Sequence, residues 1–239
     1  MKQRSIECVY SGLRGFILLL FALFSIIKVN AQTDAAPHPK NLKIIDEHKD
    51  KNGNTVRVVR YEEGNMLVTQ TIIIQRRVFM GTHVPINPDT MKKDMVRVVV
   101  DKSHYCLMVF YRDRMIRVYK AVFGPNPLQN KCMEGDRCTP EGWFKIANKN
   151  PASKYDKFMG LNYPNDSSVA RFNRLKADGL IPKTARLGGS VGIHGIWPGG
   201  DDMIEMGVGW TDGCIAIKNK DIEDLYSLVG VGTNVLVKK

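Results

Sequence analysis

The apolar positions come mostly in short β-branched runs rather than in helical stripes. Residues 56–60 (Val-Arg-Val-Val-Arg) and 67–74 (Leu-Val-Thr-Gln-Thr-Ile-Ile-Ile) predict strands. Asn52-Gly53 and Gly64-Asn65 fall between apolar runs, where hairpin turns belong. Residues 42–75 therefore predict a small β extension, and Pro85 and Pro88 punctuate a linker around residues 82–93. A second β-rich region follows: strands over 96–100 and 106–111 about a polar turn at 101–104, then a strand over 115–123. The pattern changes period at residues 167–178, where Val169, Phe172 and Leu175 recur at three-residue steps and predict a helix. Another helix is predicted over 220–228, capped by Asn219, with Ile222, Leu225 and Tyr226 on one face. Residues 233–237 return to strand. These elements predict a mainly β fold with a few short helices.

The first 31 residues do not fit that pattern. Lys2, Arg4 and Arg14 precede a 13-residue apolar run (residues 15–27), and Val29-Asn30-Ala31 follows with small residues at −3 and −1. This is the layout of a secretory signal, cleaved after Ala31 to leave Gln32 first. The run is too short for a spanning helix, which needs roughly 20 residues, so no stable membrane span is expected after cleavage. The expected organisation is a signal peptide (1–31), a leader with a small β extension and linker (32–93), and a main domain (94–239). The expected location is the periplasm or cell envelope.

The chain has 44% hydrophobic and 25% charged residues, enough to bury a core. Its formal net charge is +11, and the first 31 residues hold four cations and one carboxylate, which leaves +8 beyond them. A basic exported protein suits anionic envelope polymers or acidic peptides. No recognition motif or dense Lys/Arg tract points to nucleic acid.

Removal of Cys8 would leave Cys106, Cys132, Cys138 and Cys214, an even number in an oxidising compartment. Cys132 and Cys138 enclose a short polar loop and are the expected disulfide. Cys106 opens a predicted strand and reads as a packed structural thiol.

Two segments could carry chemistry: residues 192–200, with His194 between Gly-Ile and Gly195, and residues 209–217, with Gly213 directly before Cys214. A lone His or Cys beside isoleucine is usually buried and inert. The glycines matter because they let a ligand approach the backbone closely. Thiol attack needs a base within hydrogen-bond reach and backbone N–H groups that can receive an oxyanion. The His would also need a partner to fix its tautomer: Asp201, Asp202, Asp212 or a backbone carbonyl.

Ile193-His194-Gly195, followed 20 residues after His194 by Cys214 in Thr211-Asp212-Gly213-Cys214-Ile215, resembles the L,D-transpeptidase family with the YkuD-type catalytic domain. Gly124-Pro125-Asn126-Pro127, Glu134-Gly135-Asp136-Arg137 and Thr139-Pro140-Glu141-Gly142 resemble family segments in the same order, so the likeness spans about residues 94–238. It implies a β-sandwich or barrel-like catalytic domain that acts on peptidoglycan stem peptides through an acyl-enzyme, in wall cross-linking or remodelling. It implies Cys214 as nucleophile, His194 as base, the Gly195 carbonyl as orienter, and the Gly213 and Cys214 amides as oxyanion hole. Trp197, Trp210, Thr211 and Asp212 would contact substrate. Neither a metal nor an organic cofactor is implied. Asp212 stands where many members carry a second His, and Ala216 where many carry Arg.

The alternatives are an L,D-carboxypeptidase or amidase, in which water takes the acyl group, and a non-catalytic wall-binding module with Cys214 structural or bonded to Cys106. A zinc hydrolase using His194, Asp201 or Asp202, and Cys214 would need tighter ligand spacing than this chain shows.

Overall fold

The computed structural model describes residues 38–75 and 83–239, so the expected signal peptide at 1–31 lies outside the described residues. Strands β1 (Lys40–Lys49), β2 (Thr55–Glu63) and β3 (Met66–Ile74) form an antiparallel three-stranded sheet in the order β1-β2-β3. Its turns fall at Asn52-Gly53 and Gly64-Asn65: Gly53 and Gly64 both have positive φ (77° and 60°), which glycine adopts without steric cost.

The main sheet has eight strands. These are β4 (Val96–Asp101), β5 (Cys106–Tyr111), β6 (Arg114–Lys120), β7 (Gly142–Ser153), β8 (Asp156–Leu161), β9 (Gly192–His194), β10 (Ile215–Ala216) and β11 (Asn234–Lys238). Their order is β10-β9-β8-β7-β11-β4-β5-β6. Val122, just beyond β6, exchanges both backbone hydrogen bonds with Ala216 of β10 at 2.9 Å. The two ends of the sheet therefore meet, and the sheet curls around a core that includes Val98, Val100, Leu107, Val109, Ile193, Ile215, Val235 and Val237. Among the described residues the fold is mainly β with three short α-helices, as the strand-rich pattern predicts.

Helix α1 (Asp166–Ala177) starts at Asn165, whose side chain accepts from Ser168 N. Of its expected apolar stripe only Phe172 is buried; Val169 is exposed, so α1 lies on the surface. Helix α2 (Asp201–Met206) was not predicted and ends at Gly207 in the left-handed region. Helix α3 (Asn219–Leu228) buries Ile222, Leu225 and Leu228. Asn219 is its first residue rather than its cap. Its Oδ1 instead accepts from Ile196 N at 2.7 Å, which ties the helix to the chain beyond β9. No helix among the described residues is long and apolar enough to cross a membrane.

The small sheet packs on the main body beside α2. Ile72 and Tyr61 join the main core, Arg57 Nη1 donates to Glu205 O at 3.2 Å, and Gln75 N donates to Ser103 O at 3.2 Å.

Lys102 is fully buried, and its ammonium donates to Glu141 Oε1 (2.7 Å), Gln129 O (2.7 Å) and Thr139 O (3.1 Å). This pins the 129–141 loop to the end of β4. Removing one member of a buried ion pair leaves the rest desolvated and unmatched, at a cost of about 3–5 kcal/mol. Lys102→Met is expected to lower unfolding stability by that amount in urea titration. An unchanged midpoint would contradict this role.

Candidate active site

His194 ends β9, and Cys214 directly precedes β10. The strands pair in parallel, with Ile215 opposite Ile193 and Ala216 opposite His194. Side chains alternate along a strand, so Cys214 and His194 project on one face, diagonal to each other across the pair.

His194 is 3% exposed. Its Nδ1 lies 2.7 Å from Gly195 O, and because a carbonyl can only accept, Nδ1 carries the proton and Nε2 keeps its lone pair. The carboxylates of Asp201 and Asp202 begin α2 instead. Tyr155 stacks on the imidazole at 5.0 Å between centroids, and Trp210 meets it edge-on at 5.5 Å. Burial holds the imidazole well below its ordinary pKa, at about 4, helped by the Lys154 charge and opposed by the Gly195 hydrogen bond. Neutral imidazole is thus the resting form at neutral pH.

The close approach of β9, β8 and α3 explains why Gly195 follows the histidine. A Cβ there would stand 2.4 Å from Asn219 Oδ1 and 2.7 Å from Tyr155 O. The Gly195 N–H donates to Tyr155 O at 3.0 Å.

The Cys214 thiol is not bonded to another cysteine, Cys106 included. It donates to Ser190 O at 3.5 Å. Burial pushes its pKa up and Asp212 adds to that, while the Gly192 N–H and the Lys131 ammonium work the other way. The turn before it is tightly held. Thr211 Oγ1 donates to Cys214 O at 2.7 Å and accepts from Gly213 N at 3.3 Å. Thr211 is buried, so its hydroxyl closes the turn and is not presented to a ligand. Gly213 has φ +132°, and a Cβ on it would stand 2.7 Å from Cys138 O.

Asp212 turns outward with its side chain 85% exposed, and pairs with Arg137 Nε at 3.0 Å. Arg137 also donates to Trp210 O at 3.2 Å, so it clamps both sides of Thr211. The carboxylate beside the thiol is thereby matched by a cation. Trp197 stacks edge-on with Trp210 at 4.9 Å and carries His38 on its other side at 4.2 Å. The indole N–H of Trp210 is buried with no hydrogen-bond partner among the described residues.

The expected Cys132–Cys138 bridge is not formed; both residues are thiols. Asp136 organises their loop instead. Its carboxylate accepts from the backbone N–H of Cys132, Met133 and Cys138 and pairs with Lys131 at 2.9 Å. Each sulfur donates to a backbone oxygen at 3.3 Å, Cys132 to Asn130 and Cys138 to Asp136. Cys106 lies buried in a small cluster with Val99 and Met108. Among the described residues, no group of three His, Cys, Asp or Glu side chains gathers as a metal site.

Sequence reasoning named Gly192 and Arg137 within motifs but gave them no role, and it missed Ser190, Tyr155 and Lys131. Their contacts depend on tertiary pairing between distant segments, Arg137 and Asp212 being 75 residues apart.

Solved structures with a similar arrangement include an L,D-transpeptidase from Xylanimonas cellulosilytica (17% identity, TM-score 0.37, covering 62% of this chain and 62% of that one). Another is an L,D-transpeptidase from Stackebrandtia nassauensis (18% identity, TM-score 0.39, 63% and 58%). A third is the L,D-transpeptidase from Mycobacterium smegmatis (14% identity, TM-score 0.38, 83% and 82%). The chain spans less than two thirds of the length of the first two. No curated protein matches it in sequence. The sequence model of the L,D-transpeptidase catalytic domain, YkuD, matches residues 95–237, more than half of the chain and all but the last residue of the curled sheet, so this chain belongs to the L,D-transpeptidase catalytic-domain family.

Proposed function

We propose that the chain is a cysteine-dependent L,D-transpeptidase that acts on peptidoglycan stem peptides through an acyl-enzyme on Cys214, in cross-linking or remodelling of the wall. Such a substrate places its work in the cell envelope. The observation that carries the reading is the shared face of His194 and Cys214, with Nδ1–H anchored on Gly195 O so that Nε2 is free to take a proton.

At neutral pH the pair rests as neutral thiol and neutral imidazole, since burial disfavours both charged forms. Nε2 takes the thiol proton as sulfur attacks the scissile carbonyl, so charge separation is confined to the transition state. The carbonyl oxygen, now an oxyanion, is received by the backbone N–H of Cys214, with the Lys131 ammonium behind the turn, while the Gly213 N–H stays on Thr211 Oγ1. The C–N bond breaks as the imidazolium returns the proton to the leaving amine. An incoming amine or water then attacks the thioester, with His194 again as base. Trp197 and Trp210 form an apolar wall beside the imidazole, where the peptide packs and water is excluded.

The test is product analysis with a stem tetrapeptide and an amine acceptor. New cross-linked dimers support transfer, shortened stems alone support hydrolysis, and unchanged stems would contradict both. The dependence of kcat/KM on pH follows from the base. Activity is expected to hold down to about pH 5 and fall as pH drops through about 4, where His194 gains its proton. An acid limb near the ordinary imidazole value of about 6.5 would contradict a buried base.

A further inference from the structure

A cavity of about 250 Å³ opens between α1, the 130–141 loop and the chain leading to β9. Its lining includes Lys131, Glu141, Arg171 and Arg174 together with Tyr163 and Cys132. Two of these four charges are already matched: Lys131 pairs with Asp136, and Glu141 with Lys102. The two arginines have no carboxylate partner among the described residues. Arg171 Nη1 donates to Lys131 O at 2.6 Å, and its two terminal nitrogens otherwise meet Cys132 Sγ at 3.9 and 3.7 Å. Sulfur is a weak acceptor, so most of the five guanidinium donors of Arg171 are left without a strong partner. Arg174, one turn further along α1, stands exposed on the same side of the helix. The serine hydroxyls at the rim, Ser167 and Ser168, give their protons to Asn165 Oδ1 at 2.8 and 2.9 Å. Recognition of an anion therefore falls to the guanidiniums.

The cavity adjoins the thiol along two stretches of chain. Leu187 lines it three residues before Ser190, whose carbonyl holds the Cys214 thiol, and three residues span at most about 10 Å. Lys131, on the opposite wall, has its ammonium 3.6 Å from the point where a Cβ on Gly213 would stand. A peptide acylating Cys214 thus has the cavity within about four extended residues of its scissile bond.

From this placement we infer that the cavity is a specificity subsite that takes a free carboxylate of the acyl-donor peptide on Arg171 and Arg174. The inference rests on the reading of Cys214 as the acylated residue. A carboxylate suits the site better than a phosphate: the planar guanidinium fork grips either in bidentate fashion, but the Glu141 oxygens in the lining oppose a dianion more than a monoanion.

The experiment titrates full-length Cys214→Ala protein, by calorimetry, with a stem peptide bearing a free carboxylate on its second residue and with its carboxamide twin. Arg171→Gln and Arg174→Gln are added to that background separately and together, and wild-type protein is incubated with both peptides and weighed by mass spectrometry. The carboxylate peptide is expected to bind at least 10-fold tighter than the carboxamide, with the preference falling toward unity in the double variant and at high salt. Arg174→Gln, at the exposed rim, reads the effect even if Arg171→Gln disturbs the 130–141 loop. Equal binding of the two peptides, or a preference that survives both substitutions, overturns the subsite. Acylation of wild-type Cys214 without a carboxylate preference sinks the subsite alone. A carboxylate preference without acylation sinks the catalytic reading alone.

Discussion

Cys214→Ala is expected to reduce turnover by about 10³–10⁶-fold, to background, because it removes the atom on which the proposed acyl bond forms. The fold should be indifferent to the change. The sulfur's polar contacts are weak, a hydrogen bond to Ser190 O at 3.5 Å and the Gly192 N–H that faces it. The turn around it is held by the Thr211 hydroxyl, by the packing of Gly213 on Cys138 O, and by the Arg137–Asp212 pair. Thermal unfolding within a few degrees of wild type, alongside lost activity, separates a chemical from a structural role. Activity above about a tenth of wild type would remove Cys214 from the mechanism. So would a collapse of stability that accounts for the loss.

The second large effect is expected at His194. His194→Gln keeps a hydrogen-bonding side chain of similar length but removes the base, and turnover should fall by about 10³–10⁵-fold. The same substitution has a signature in stability. The pKa of His194 lies near 4 in the folded protein against about 6.5 in an unfolded chain, so the unfolded state binds the proton more readily. The buried neutral ring therefore costs nothing in stability above pH 6.5. As pH falls from there toward 4, protonation increasingly favours the unfolded state, and up to about 3 kcal/mol is lost. Asp101, Asp136 and Asp224 have lowered pKa values, so their losses begin near or below pH 4 and add little to that window. The glutamine variant should show a clearly flatter fall in unfolding free energy between pH 6.5 and 4. An unchanged slope would mean that the imidazole is not buried as described.

The legible parts of the fold were those where local pattern and tertiary role agree. β2, β3, β4 and β5 are dense in Val, Ile and Leu and bounded by Gly or polar turns, and their sequence limits fall within a few residues of the observed ones. β7 was not legible. Its inward residues Phe144 and Ile146 give way to Asn148, Lys149, Asn150 and Pro151, polar positions that become strand only because β8 pairs with them. β9 and β10 have three and two residues, too short to show a period, yet their parallel pairing sets the site. Asn219 reads locally as a helix cap, and tertiary contact claims its side chain for Ile196. In the site, the glycines beside His194 and Cys214 marked close backbone approaches, and the Cβ positions on Gly195 and Gly213 show why. The paired cysteines at 132 and 138 suggested a bridge because spacing alone cannot reveal that Asp136 between them collects three backbone N–H groups and an ammonium.

The matched charge at Asp212 also depends on residues distant in sequence. A carboxylate next to a thiol opposes thiolate formation, and Arg137 answers Asp212 from the 130–141 loop. The same loop contributes Lys131 behind the Gly213–Cys214 turn and is pinned by the buried Lys102. Its order bears on the electrostatics of the sulfur as well as on the wall of the cavity.

The most direct measurement is the mass of the protein during turnover. Wild-type chain mixed with a stem tetrapeptide and quenched in acid should gain the mass of the acyl fragment, with peptide mapping placing it on Cys214, and the gain should disappear when an amine acceptor is added. Turnover with no such adduct, or with the adduct on any other residue, would contradict covalent catalysis by this thiol.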